Sequence, residues 1–118
     1  MITLNNFPAL LLALNFEQHN NQYRKTFENG AILIADFAKK KLIYPEKLII
    51  NDETTSNFDS PENFVVFECI NRLLEKGYKP EHIELERKWQ LGRTQKSGKA
   101  DIVVLDLQGN VLLVRSQG

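Results

Sequence analysis

Lys99-Ala100-Asp101-Ile102-Val103-Val104-Leu105-Asp106-Leu107-Gln108-Gly109-Asn110-Val111-Leu112-Leu113-Val114 is the stretch that decides the fold. Two aliphatic runs, Asp101 to Leu105 and Val111 to Val114, flank Gln108-Gly109-Asn110, whose glycine and asparagine suit a tight reversal. The segment predicts a β-hairpin. Asp101 opens its first strand, where a charged group has no packing purpose; the plain alternative is an aspartate that happens to end a strand beside a turn.

Upstream of the hairpin, Gly92 to Gly98 reads as a basic, glycine-containing loop. From Arg87 to Lys99 the charged side chains are Arg87, Lys88, Arg93, Lys96 and Lys99, with no acid among them, directly after Glu81, Glu84 and Glu86. The plain reading of such a run is a solvated loop. His82 to Leu91 carries Ile83, Leu85 and Trp89 mixed with charge, the pattern of a strand with one wet face. Ser60-Pro61-Glu62 is a helix start: Ser60 can accept from an early N–H, Pro61 suits the first turn, and Glu62 complements the positive helix end. Phe64, Val66, Phe67, Ile70, Leu73 and Leu74 then form a wide apolar face. Gly77 ends this helix and Pro80 prevents its resumption.

The N-terminal half has a different rhythm. A helix is expected from about Asn5 to Leu14, with Pro8 tolerated in its first turn and Leu10, Leu11 and Leu14 on one face. Tyr23 to Phe27, Ala31 to Phe37 and Leu42 to Tyr44 are short apolar runs punctuated by Asn29-Gly30 and Lys39-Lys40-Lys41, as in an antiparallel meander. Asn51 to Ser60 is polar and without period, hence a loop. The expected class is α+β, a mixed or antiparallel sheet with flanking helices.

Length and composition bound the function. A chain of 118 residues fits one domain, divided into an N-terminal helix and meander (1–59), a core (60–114) and a tail (115–118). Fifteen basic residues balance fifteen acidic ones, so any electrostatic attraction must be local. Cys69 is the single cysteine, which excludes an intrachain disulfide. The apolar stretch Phe7 to Phe16 is too short to span a bilayer and lacks a preceding basic segment. A cytoplasmic protein without a membrane partner is the expectation. His19 and His82 stand too far from other ligand-type residues to suggest zinc.

Taken in order, Pro61-Glu62, Leu73-Leu74-Glu75-Lys76-Gly77-Tyr78, Ile83-Glu84-Leu85-Glu86, Gly98-Lys99-Ala100-Asp101-Ile102-Val103-Val104 and Gly109 resemble the N-terminal nuclease domain of restriction-modification proteins. This is the domain of type I restriction R subunits and some related DNA methylases, in the PD-(D/E)xK superfamily. The resemblance covers Ser60 to Val114 and extends more loosely upstream. It implies a restriction-endonuclease-like core, a magnesium-dependent endonuclease ancestry, and DNA with methylase or specificity subunits as partners. It implies that Glu62 and Asp101 are the catalytic, metal-holding carboxylates, with Glu68 an alternative to Glu62. Glu86 would be a carboxylate just outside the metal's own ligands, and Arg93, Lys96 and Lys99 would contact DNA.

The family pattern also requires Glu-x-Lys at about Arg115 to Gly118, and these residues read Arg-Ser-Gln-Gly. The glutamate would supply a metal oxygen and the lysine would stabilise developing phosphate charge. The expectation is a truncated, inactive nuclease-like module, its core incomplete. AGA AGT CAA GGN encodes Arg-Ser-Gln-Gly, and read one nucleotide later gives Glu-Val-Lys, so a shifted frame accounts for the tail; an engineered end or a diverged relative are rival accounts. Should cleavage nevertheless occur, Glu86, Lys88 and Lys99 are the first substitutes. An uncovered hairpin edge would favour a two-fold homodimer. Two other readings stand beside this one: a non-catalytic module that binds DNA or a subunit, and a small α+β protein alike in shape alone.

Overall fold

The computed structural model describes residues 2–90 and 97–115, with side chains described within 2–87 and 102–112. The elements in order are α1 (Phe7–Ala13), β1 (Glu17–His19), β2 (Gln22–Thr26), β3 (Ile32–Asp36), β4 (Lys41–Ile43), β5 (Ile49–Ile50), α2 (Pro61–Glu75), β6 (Ile83–Gln90), β7 (Ser97–Leu105) and β8 (Val111–Arg115), with 3₁₀ turns at Glu53–Thr55 and Pro80–His82. The fold is α+β. Its strands form two sheets: an antiparallel meander β1-β2-β3-β4, and a mixed sheet β5-β6-β7-β8 in which β5 runs parallel to β6.

The meander follows from its turns. Asn29-Gly30 reverses the chain between β2 and β3, with Gly30 at φ 88°, a left-handed conformation that glycine adopts without a Cβ clash. Strand β1 is additional to the expected runs, and its three residues are all exposed, so no apolar alternation marks it. α1 is shorter than the expected Asn5–Leu14 and buries Phe7 and Leu11, while Leu10 and Leu14 are only partly buried against the core.

α2 begins where Ser60-Pro61-Glu62 predicts: the Ser60 hydroxyl accepts from the Glu62 N–H at 3.3 Å. It ends with Gly77 at φ 96° and buries Phe64, Val66, Phe67, Ile70, Leu73 and Leu74. That face joins one continuous core with Leu33, Ala35 and Leu42 of the first sheet and Ile83, Leu85, Ile102 and Val104 of the second. Aromatic rings fill the seam. Phe7 stacks on Phe64 with centroids 4.4 Å apart, and Phe67 lies within 6.0 Å of Phe7, 5.8 Å of Phe16 and 5.6 Å of Tyr44.

Among the described residues no helix is long and apolar enough to cross a membrane. Phe67 touches rings from three separate segments and has no exposed surface, so its loss leaves a cavity at the seam. Phe67→Ala is expected to destabilise the chain by about 3–5 kcal/mol, read from the urea unfolding midpoint.

Candidate functional site

The hairpin expected at the C-terminal end is present, longer at its start than its sequence suggests. β7 begins at Ser97, so Ser97, Gly98 and Lys99 lie in a strand paired with β6 rather than in the basic loop. Pairing with β6 outweighs the cost of a glycine inside the strand. Arg93 and Lys96 lie outside the described residues, as does the side chain of Asp101.

Across the hairpin's far end, Asp106 organises the turn. Its carboxylate accepts from the N–H groups of Gln108 at 2.9 Å and Asn110 at 2.8 Å. The Asn110 N–H above all holds this carboxyl below its ordinary 3.8, with the Gln108 N–H and the Asn110 side chain adding to the effect. This closes the reversal that fixes β8 against β7.

The register of β6 and β7 singles out one step. Leu85 pairs with Ile102 and Arg87 with Ala100, so Glu86 and Asp101 are the intervening residues on the two strands. Glu86 is fully buried and has φ 57°. A non-glycine residue in the left-handed region costs about 1–2 kcal/mol, and such strain persists only where the surroundings impose it.

The surroundings come from residues 51–59, the stretch without sequence period. The Thr54 hydroxyl donates to Glu86 Oε1 at 2.8 Å. One residue earlier, the Leu85 carbonyl accepts from both the backbone N–H of Asn51 at 3.2 Å and its Nδ2 at 3.1 Å. The loop itself is tied to α2, where buried Asn63 donates from Nδ2 to the Thr54 carbonyl at 3.1 Å and to Asn57 Oδ1 at 2.9 Å. Beneath this lies Tyr44, whose buried phenol is pushed well above its ordinary value by desolvation first, and then by the nearby Glu86 and Cys69. A cleft of about 360 Å³ lined by Asn51, Glu84, Glu86 and Arg87 opens beside the strand, with Arg87 Nε 3.3 Å from Glu84 Oε2.

The other candidate carboxylates sit differently. Glu62 is exposed on the first turn of α2, as a residue complementing the helix end would be. Glu68 pairs with Arg72 one turn along, Oε1 to Nη2 at 2.6 Å. Glu86 is thus the carboxylate whose strand position adjoins that of Asp101 in the β6–β7 register. At the hairpin's other strand, Arg115 pairs with Ile102, the neighbour of Asp101, so the stretch where the resemblance expects Glu-x-Lys begins alongside Asp101. Among the described residues, no three histidine, cysteine or acidic side chains gather as a metal-binding group. Thr54 and Asn51 are the residues that sequence reasoning missed; the one local signal was Asp52-Glu53-Thr54, in which Asp52 accepts from the Thr54 N–H at 3.1 Å.

No protein-family model, curated protein or solved structure matches this chain.

Two outcomes follow from this geometry. Thr54→Val removes a donor from a buried carboxylate and is expected to cost about 1–3 kcal/mol, with Thr54→Ser costing less, both read from urea unfolding. For the turn, a carboxyl held low in the folded state stabilises fully above its ordinary 3.8 and loses that contribution as pH falls below it through the lowered folded value. Weaker protection of the Gln108 and Asn110 amides, relative to their intrinsic exchange rates at each pH, is expected in that acid window, and Asp106→Asn should remove its pH dependence.

Proposed function

We propose that this chain is a nuclease-like module of a restriction-modification system, of PD-(D/E)xK type, whose 118 residues carry part of a magnesium site and do not themselves cleave DNA. The observation that supports it most is Glu86: a fully buried carboxylate, in left-handed backbone, at the step of the β6–β7 register that also holds Asp101. Strained backbone of this kind concentrates at functional sites. Packing alone gives no reason for a charge there, because burying a carboxylate is costly unless it is bonded.

In this reading Asp101 and Glu86 are the carboxylates toward a divalent cation, and Thr54 holds Glu86 in place. Magnesium takes oxygen ligands and keeps several of its waters, so a pair of carboxylates suits it. When bound, it would neutralise phosphate charge and lower the pKa of an attacking water. Glu62 then serves the helix end. What the chain lacks is Glu-x-Lys: Arg115 and Gln117 stand in its place, a cation where a metal-binding anion is required.

A second reading, a module that binds DNA without chemistry, draws support from register. Lys88 and Lys99 face each other across β6 and β7. Both adjoin in sequence the basic segment containing Arg93 and Lys96, and a local run of cations attracts phosphate.

The purified chain is expected to give no detectable magnesium-dependent nicking of supercoiled DNA. The double variant Arg115→Glu with Gln117→Lys is expected to gain nicking that Asp101→Ala abolishes; a folded double variant that stays inert would overturn the nuclease reading. Under the binding reading, DNA affinity falls steeply with salt and the slope lessens in Lys88→Ala with Lys99→Ala.

A further inference from the structure

Toward the C-terminal end of α2, a second polar cluster joins the meander to the helix. Lys25, on β2, has a side chain only 11% exposed. Its Nζ lies 2.9 Å from Oδ1 of Asn71, 2.7 Å from Oε2 of Glu75 and 2.8 Å from the Leu14 carbonyl. Asn71 is fully buried, and its Nδ2 donates to the other Glu75 oxygen at 3.4 Å. The Phe16 and Phe27 rings wall the amine, with centroids 5.6 and 5.0 Å from Nζ.

A structural ion pair requires only Lys25 and Glu75. The arrangement has more: an amine within hydrogen-bond reach of a carboxamide, and one carboxylate touching both through its two oxygens. Those are the parts of an amide transfer, a nucleophile, an electrophile and a group able to move protons between them. Holding the amine against the carboxamide in one frame removes the entropy cost of bringing them together.

We propose that Lys25 and Asn71 become joined by an intramolecular amide bond, with Glu75 as the proton carrier. Lys25 passes a proton from Nζ to Glu75 Oε2, and the neutral amine attacks Asn71 Cγ. A new C–N bond forms as the carbonyl electrons move to Oδ1. Glu75 returns its proton to Nδ2, the Cγ–Nδ2 bond breaks as the carbonyl re-forms, and ammonia leaves and takes up the remaining proton from the new amide nitrogen. The balance is one ammonium side chain and one carboxamide converted to one secondary amide and one ammonium ion, with no oxidant or cofactor. The half-exposed Glu75, 44% open to solvent, marks the side from which ammonia departs. The bond would fasten β2 covalently to α2, closing the chain between residues 25 and 71.

Intact mass of the denatured full chain tests this. After prolonged incubation of the folded protein, the expected mass lies about 17 Da below that of the unmodified sequence, the loss of one ammonia. Proteolysis should yield a branched peptide linking Lys25 to Asn71, and Lys25 should resist acetylation even in denaturant. Lys25→Arg keeps the positive charge without a reactive amine and should retain full mass; Glu75→Gln should slow or abolish the loss. A wild-type chain that keeps its full mass, with Lys25 open to acetylation once unfolded, overturns the proposal, and so does a mass loss mapped to any other pair of residues.

Discussion

One helix must cover two sheets, and the rest of the structure is arranged around that constraint. α2 presents Phe64, Val66, Phe67, Ile70, Leu73 and Leu74, a face too wide for a single sheet contact, and both sheets pack against it. Neither four-stranded sheet has an independent core of comparable size. Each would expose its inner face without the other's support across the helix, and the hydrophobic gain from burying that face scales with the area removed from water. The aromatic rings at the seam suit this task because a flat ring can meet several neighbours at once. Phe7 does so from outside both sheets, meeting Phe37, Phe58, Phe64 and Phe67.

The same helix determines where charge can be buried. At its first turn, Asn63 holds the 51–59 loop, which in turn supplies Thr54 to Glu86. At its last turns, Asn71 and Glu75 receive Lys25 from the meander. Two polar clusters thus lie near opposite ends of one apolar stripe. Both use asparagine at a buried helical position, where a carboxamide can donate and accept without carrying charge. A buried amide left unpaired would be costly, so each asparagine also orients the segment that it bonds.

Elements were legible in the sequence wherever local chemistry determined them. Ser60-Pro61-Glu62 marks a helix start because the Ser60 hydroxyl has a nearby N–H to satisfy. Asn29-Gly30 and Gln108-Gly109-Asn110 mark turns because positive φ is available there. What the sequence hid depended on distant partners. β5 is only two residues long, and Ile49 and Ile50 become a strand solely by lying beside β6. Thr54 looks like any loop threonine until Glu86, 32 positions away, comes within reach of its hydroxyl. Glu86 was visible only as a strand carboxylate near Asp101, since nothing local predicts a left-handed glutamate. Glu62, conversely, looked informative because two roles share one signature: an acid at a helix start serves the helix whether or not it serves a site.

The division of the hairpin follows from how far α2 reaches. Ile102 and Val104 lie in the shared core, whereas Leu107, Val111 and Leu112 beyond them are 80%, 46% and 59% exposed. The turn therefore cannot rely on packing and relies instead on Asp106, whose carboxylate gathers the N–H groups of the reversal. Where β6 passes Leu85 and Glu86, beside the middle of β7, the 51–59 loop adds hydrogen bonds to β6. Apolar contacts at Leu85 and polar contacts at the next residue let β6 carry the Glu86 carboxylate without disturbing the core. The strain at Glu86 is compatible with this arrangement because Asn51 bonds the preceding carbonyl and Thr54 bonds Oε1 of the carboxylate, and the adjacent ladder from Leu85 to Ile83 stays paired.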